Sequence, residues 1–328
     1  MTRYLNRIDR RLPVSKRPIF AVRSTDIVTA AMLPPLNWHR FTQFTFDPVP
    51  TVMIILVALA YLAGVKRLSR GEPEERWHVR RTLAFFAGLV TTFVAVESFI
   101  GIYDSVLFYD HMIQHLLLIM VAGPLFAMGA PIELLERATT GRAHEVIKRA
   151  LDSRVSEVIG HPIFGFVLYA VVIPVTHLTS FYNLTLENET VHNMEHFLYL
   201  VVGYLFWRPV VAIEPSRHRL HPGFRLLYIS AGVPVDTFTG LALTATAHEI
   251  FPAYKAMHRT WGPSLVTDLH IGGAIMWVGG DTIMLLAMIP VAIVWIHHEE
   301  RLAEEADRIL DEAALVDSNS RDGSAAGP

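Results

Sequence analysis

SVLFYDHMIQHLLLIMVAGPLFAMGA (Ser105–Ala130) carries a single formally charged residue, Asp110, and is long enough to cross a bilayer. A helix needs about 20 residues to span a hydrocarbon core of about 30 Å. Backbone amides in lipid must find their hydrogen bonds within the segment, so this run is read as a transmembrane helix. Six further apolar runs surround it: Val49–Val65, Leu83–Tyr103, Ile163–Phe181, Val191–Ala212, Phe224–Ala247 and Leu269–Ile296. Pro124, Pro174, Pro234 and Pro290 fall inside these runs and are expected to kink them. The fold class that follows is all-α: a polytopic integral membrane bundle of seven transmembrane helices.

The composition agrees. Of 328 residues, 52 % are hydrophobic and only 18 % charged, with a mean hydropathy of +0.36. Soluble domains are usually less apolar and more charged. A net charge of -3 gives no reason to expect a nucleic-acid partner; the bilayer is the partner the composition implies. The chain has no cysteine, which excludes disulfides and thiolate metal sites and leaves His, Met and carboxylates as metal ligands. Residues 1–48 read as a basic, proline-interrupted N-terminal extension, 49–297 as the membrane domain and 298–328 as a charged tail. Within the tail, Arg301–Ala314 suits a short amphipathic helix and Ser318–Pro328 reads as disordered. No phosphate-cradling Gly-rich loop or Ser nucleophile elbow occurs.

Lysine and arginine are unevenly shared among the loops. Lys66, Arg67, Arg70, Arg76, Arg80 and Arg81 follow the first span. Arg137, Arg142, Lys148, Arg149 and Arg154 follow the third, and Arg208, Arg217, Arg219 and Arg225 follow the fifth. The loops after the second and fourth spans have none. Positive loops stay in the cytoplasm, so the expected topology in the cytoplasmic (inner) membrane puts the N-terminus outside and the C-terminus inside.

That topology carries eight of the sixteen histidines to the outer face. His111 and His115 open the third span, His177 closes the fourth, His192 and His196 open the fifth, and His248, His258 and His270 lie around the ends of the last two. The pairs His111/His115 and His192/His196 have i, i+4 spacing, which stacks side chains on one helical face. Neutral imidazole binds copper, zinc and iron. Interfacial histidines also serve as caps or headgroup contacts, but repetition of the spacing at matched depth favours a shared metal. Glu195 shares the face of His192 and is a candidate ligand, a hydrogen-bond partner of a ligand, or a base. Asp110 and Asp268 suit helix first turns as readily as metal sites. Met112 and Met194 are offset from the histidine face and read as packing residues. Glu97, Asp236 and Asp281 sit within apolar runs and should face the bundle interior, as a polar relay or as partners of threonines such as Thr92, Thr237, Thr239 and Thr282.

Four stretches resemble a known family. DHMIQHLLLIMVAGPLFAMGAP (Asp110–Pro131), HLTSFYN (His177–Asn183), HNMEHFLYLVVGYLFWRP (His192–Pro209) and DLHIGGAIMWVGGD (Asp268–Asp281) are similar to the signatures of the CtaG family of caa(3)-type cytochrome c oxidase assembly factors. They cover about half of the chain. The resemblance implies a non-enzymatic role in maturing a haem–copper oxidase, with oxidase subunits as partners and copper as the metal handled. It carries over to His111, His115, His177, His192 and His196, and to Asp268 as the acid that opens the last motif. His270, where this sequence departs from the family's pattern, is an additional candidate ligand, as is Glu195. Two other functions compete. His192–His196 reads HxxEH, which suits an intramembrane zinc-dependent hydrolase if Asp268 or His177 supplies a third ligand. A bis-His haem protein would need ligands from two facing helices.

Overall fold

The computed structural model describes residues 33–69, 76–248, 250–256 and 259–325. Most of the N-terminal extension therefore lies outside the described residues, as do Met257 and His258. Seven long helical rods follow one another in the order the apolar runs set. Helix α1 is Pro48–Leu68 and α2 is Val79–Glu97. Helix α3 begins as Phe108–Leu116, passes through a π-helical turn at Leu117–Ala122 and continues as Gly123–Gly129. Helices α4, α5 and α6 are Pro162–Leu178, Glu189–Val211 and Pro222–Thr244. Helix α7 runs from Leu265–Ala274 through a second π-helical turn at Ile275–Gly279 into Gly280–Ala325. No strand pairing beyond the isolated bridge Phe44–Ser98 occurs among the described residues.

Five of these helices are long and apolar enough to cross a membrane, and α4 makes six when joined to Phe181–Glu187 across a 67° bend. Helix α5 has the length for a seventh. Its hydropathy is lowered by Glu189, His192, Glu195, His196 and Arg208, the residues that make it chemically interesting. The outward apolar surface is what lipid requires: Val52, Met53, Ile55, Leu56 and Leu59 of α1 are all at least half exposed, and Tyr61 is the buried residue of that helix. Helices α3 to α7 form a closed ring, α3 against α5 and α7, α4 against α5 and α6, α6 against α7. Helix α2 packs on the outside of α3, and α1 on α2.

Several boundaries differ from the sequence reading. The second span ends at Glu97, where Ser98 turns extended and caps a separate short helix, Phe99–Tyr103. Glu97 is therefore at the membrane edge rather than deep in the bundle. Its carboxylate accepts from the Asp47 amide at 2.9 Å and the Thr51 hydroxyl at 2.6 Å, tying the start of α1 to the end of α2. The charged tail is not a separate helix followed by disorder: α7 continues unbroken to Ala325. From Glu299 to Leu315 the sequence is rich in Ala, Glu, Leu and Arg, all strong helix formers, so the helix does not stop where the apolar run ends.

Two features of α3 set the geometry of its N-terminal half. Pro124 cannot donate the amide bond that an α-helix needs one turn earlier, and the π-helical turn lies immediately before it. Below that turn, Gly123 faces Gly203 of α5 so closely that a β-carbon on Gly203 would lie 2.7 Å from the Ile119 carbonyl oxygen. Small residues let the two backbones touch. This contact brings the histidines of α3 and α5 together one to two turns nearer the N-terminal ends of both helices.

Candidate metal centre

Helix α3 contributes His111, His115 and Gln114; α5 contributes His192, Glu195, His196 and Tyr199; the end of α4 contributes His177. Asp104, in the connection between α2 and α3, joins them from above. The i, i+4 spacing acts as its periodicity requires: the rings of His111 and His115 are 4.0 Å apart and those of His192 and His196 4.3 Å apart. Across the helix interface, His111 stacks on His192 with ring centroids 5.1 Å apart and planes inclined by 10°.

The side chains divide into two adjoining ligand groups, each with its donor atoms within 4.8 Å of one another. The buried group is His111, His115 and Glu195. Glu195 Oε2 lies 3.7 Å from His111 Nε2 and 3.9 Å from His115 Nε2. The rim group is Asp104, His192 and His196, with His192 Nε2 3.7 Å from Asp104 Oδ2. All these residues are buried except His192, which is half-buried and opens the cluster toward the outside. Burial pushes the Asp104 carboxyl above the usual carboxylate range, while His192 and the Gln114 amide pull it back.

Hydrogen bonds fix which imidazole nitrogens are free. The Ile173 carbonyl can only accept, so His177 Nδ1, 2.8 Å away, donates to it. The neutral His177 ring then accepts at Nε2, and His115 donates its Nδ1 proton across 3.0 Å. His115 Nε2 is left with a lone pair facing Glu195. The rim group has a parallel device. The Gln114 amide donates to the Ala95 carbonyl at 3.0 Å and to Asp104 Oδ2 at 2.8 Å, which turns its oxygen toward His196. His196 donates from Nε2 to that oxygen at 2.9 Å, leaving Nδ1 as its ligand atom. Glu195 is held in turn by Tyr199, whose hydroxyl is 3.0 Å from Oε1 and 2.7 Å from Thr176 Oγ1. Such outer partners orient ligands and raise their basicity.

Five buried atoms of this cluster make no hydrogen bond: both nitrogens of His111, Nε2 of His115, Nε2 of His192 and Oε2 of Glu195. Leaving a buried polar atom unpaired costs about 1–3 kcal/mol. A neutral imidazole offers one lone pair, so at most four of the five can act as ligands; a cation would satisfy those of His111, His115 and Glu195, and no group outside this cluster among the described residues combines three such ligands.

The structure brings together six of the residues singled out from sequence, His111, His115, His177, His192, His196 and Glu195, with His177 as the partner of His115. It does not bring in Asp268 or His270. Asp268 accepts from the Tyr109 amide at 3.0 Å and pairs with Arg259 at 2.9 Å, so both its oxygens are spent tying the start of α7 to the start of α3. His270 Nε2 is 2.7 Å from the Thr246 carbonyl and closes the end of α6. His248 is exposed. Sequence reasoning missed Asp104; the one signal was an acid at the membrane edge just ahead of the first histidine pair. The HxxEH motif is divided: His192 and His196 turn to Asp104, while Glu195 turns to the α3 pair.

The fold and this site define a multi-pass helical membrane protein built around a buried imidazole–carboxylate centre. Residues 59–298 match the family described as cytochrome c oxidase caa3 assembly factor (Caa3_CtaG), and the chain belongs to that family. Among curated proteins it is similar to "Uncharacterized protein ML1998" of Mycobacterium leprae (strain TN), 27 % identical over 286 residues that make up 85 % of this chain and 43 % of the relative. It is likewise similar to "Uncharacterized protein Mb0105" of Mycobacterium bovis (strain ATCC BAA-935 / AF2122/97), 28 % identical over 287 residues, again 85 % of this chain and 43 % of the relative. The chain thus spans less than half the length of these relatives. No solved structure matches it.

Proposed function

We propose that this protein is an assembly factor for a haem–copper cytochrome c oxidase, that it holds copper in the outer imidazole cluster, and that it passes the ion to a nascent oxidase subunit without catalysing a reaction. The observation that carries the reading is the set of unpaired buried polar atoms on His111, His115, His192 and Glu195, one ligand atom from each residue. Imidazole nitrogen with one carboxylate suits copper among the first-row ions that such sites take, because Cu(II) binds nitrogen sites most tightly. The family supports the assembly role.

The two groups have complementary tasks. The rim group, with half-buried His192, receives the ion. The buried group holds it with lone pairs already aimed, His115 by the relay through His177. Neither group is a closed four-thiolate cage, so the ion remains exchangeable. On the topology set by the basic loops, the cluster lies at the outer side of the cytoplasmic membrane, with the N-terminus outside and the C-terminus inside.

The hydrolase reading loses its footing in the divided HxxEH motif. Its glutamate would have to act as base beside a zinc held by both histidines of the motif, whereas Glu195 shares a group with His111 and His115 and is 1 % exposed. The test is metal analysis of the purified protein, wild type beside His111→Ala/His115→Ala and Glu195→Gln, with oxidase activity measured in the same cells. Loss of bound copper together with oxidase activity is expected. Full oxidase activity in copper-free variants would overturn the proposal.

A further inference from the structure

One cavity lies directly beneath the imidazole cluster, toward the middle of the bundle. It has a volume of about 20 Å³ and is lined by Met112, Met120 and Met276, by Asp236, and by His115 and His177 as its roof. Such a volume is of the order of one small occupant, since a single water needs roughly 10–15 Å³. An ion inside it would have no room for a hydration shell and would bind only the walls. Both His177 nitrogens are engaged, and His115 turns Nδ1 to His177 and Nε2 to Glu195. The donors that remain are three thioethers and one carboxylate. Met112, Met120 and Met276 are each 5 % exposed or less, from α3 and from the π-helical turn of α7.

Asp236 is the independent observation that points to a ligand. It is 2 % exposed in the middle of α6, and its Oδ2 accepts no hydrogen bond. The Tyr169 hydroxyl, itself buried, is its polar neighbour and can donate toward the carboxylate, but a neutral phenol supplies no counter-charge. Asp281 of α7 acts on Asp236 electrostatically but lines no part of the cavity, and Thr237 donates to its Oδ2 at 2.6 Å. An ionisable side chain within a membrane bundle is costly unless it has a counter-charge.

We infer that this cavity is a second metal site, selective for a soft monovalent cation of the Cu(I) class, held by Met112, Met120 and Met276 and neutralised by Asp236. Thioether sulfur selects Cu(I), and one carboxylate balances one positive charge where a divalent ion would leave an excess in low dielectric. The site's existence does not depend on the assembly reading; only the choice of copper over silver as the natural occupant rests on it. Met120 is five residues beyond His115, so the two sites are about 7–8 Å apart along α3 and an ion passes between them under the His115 ring.

The test uses the full chain purified in detergent, loaded either with Ag(I), which needs no reductant, or with Cu(I) kept reduced by ascorbate. X-ray absorption of the wild type is expected to show sulfur scatterers around the bound monovalent ion. Met120→Leu/Met276→Leu, which conserves volume, is expected to abolish the sulfur signal and remove one tightly bound Ag(I) per chain. Asp236→Asn is expected to weaken Ag(I) at least tenfold. His111→Ala is expected to leave the sulfur-bound ion in place, so failure of the imidazole site and failure of this one are separately visible. Wild-type protein whose Cu(I) and Ag(I) show only nitrogen and oxygen neighbours, or a methionine variant with undiminished Ag(I) stoichiometry, would overturn the inference and leave the cavity as a packing void or the seat of a single water.

Discussion

Replacing His177 tests the logic of the buried group without touching a proposed ligand. In the wild type, the Ile173 carbonyl fixes the His177 tautomer and His177 fixes that of His115 through a 3.0 Å hydrogen bond. In His177→Leu, the His115 Nδ1 proton has no acceptor. A buried donor stranded in this way costs about 1–3 kcal/mol. The ring escapes part of that cost by taking the other tautomer, which places the proton on Nε2, the atom that faces Glu195 and would bind metal. Copper binding must then reverse the change. Removing partners of this kind costs roughly 10–100-fold in metal affinity, or about 1.4–2.8 kcal/mol, which matches the price of one stranded donor. The assay is competition for Cu(II) against a chromophoric chelator, with wild type, His177→Leu and His177→Gln side by side. The glutamine carbonyl can accept from His115 and should restore most of the affinity. Unchanged affinity in His177→Leu would refute the relay. A loss as complete as that of His115→Ala, unrescued by glutamine, would make His177 a ligand itself and refute its role as a partner.

Three further outcomes are expected. Gln114→Leu strands the His196 Nε2 proton and frees Asp104; it should lower thermal stability by about 1–3 kcal/mol and slow copper uptake measured by stopped flow, while equilibrium copper content stays near wild type. Gly203→Ala drives a β-carbon to 2.7 Å from the Ile119 carbonyl oxygen; α3 and α5 must separate, and copper retention through gel filtration should fall even though no ligand has changed. Arg259→Ala leaves Asp268 buried without its 2.9 Å partner, which should destabilise the chain by about 3–5 kcal/mol; copper bound per folded molecule, measured by metal analysis after size-exclusion, should stay the same, because Asp268 belongs to neither ligand group.

The spans were legible because lipid leaves the sequence little freedom: a long apolar run has to be a helix, and seven such runs fall at or near the seven rods. The histidine pairs were legible for a similar reason, since i, i+4 spacing determines a shared helical face before any neighbour is known. What periodicity does not determine is which neighbour each face meets. Glu195 and His196 are adjacent in sequence but about 100° apart around α5, so they enter different ligand groups. Asp268 resembled a ligand because its counter-ion, Arg259, lies in a connection whose path no helical pattern describes. Asp104 was hidden for the converse reason: it reaches His192 only because Ser98 breaks the second span and the short helix Phe99–Tyr103 turns the chain back over the cluster. Asp236 was recognised as costly, yet its relation to three methionines on two other helices is a property of the packed bundle alone.

The most direct measurement is anomalous diffraction at the copper edge from crystals of the full chain soaked in a copper salt. The account predicts a peak within bonding distance of His111, His115 and Glu195 that disappears in His111→Ala/His115→Ala. Copper found only elsewhere, for instance beside Asp268 and His270, with the α3 and α5 imidazoles making no contact to it, would contradict the account.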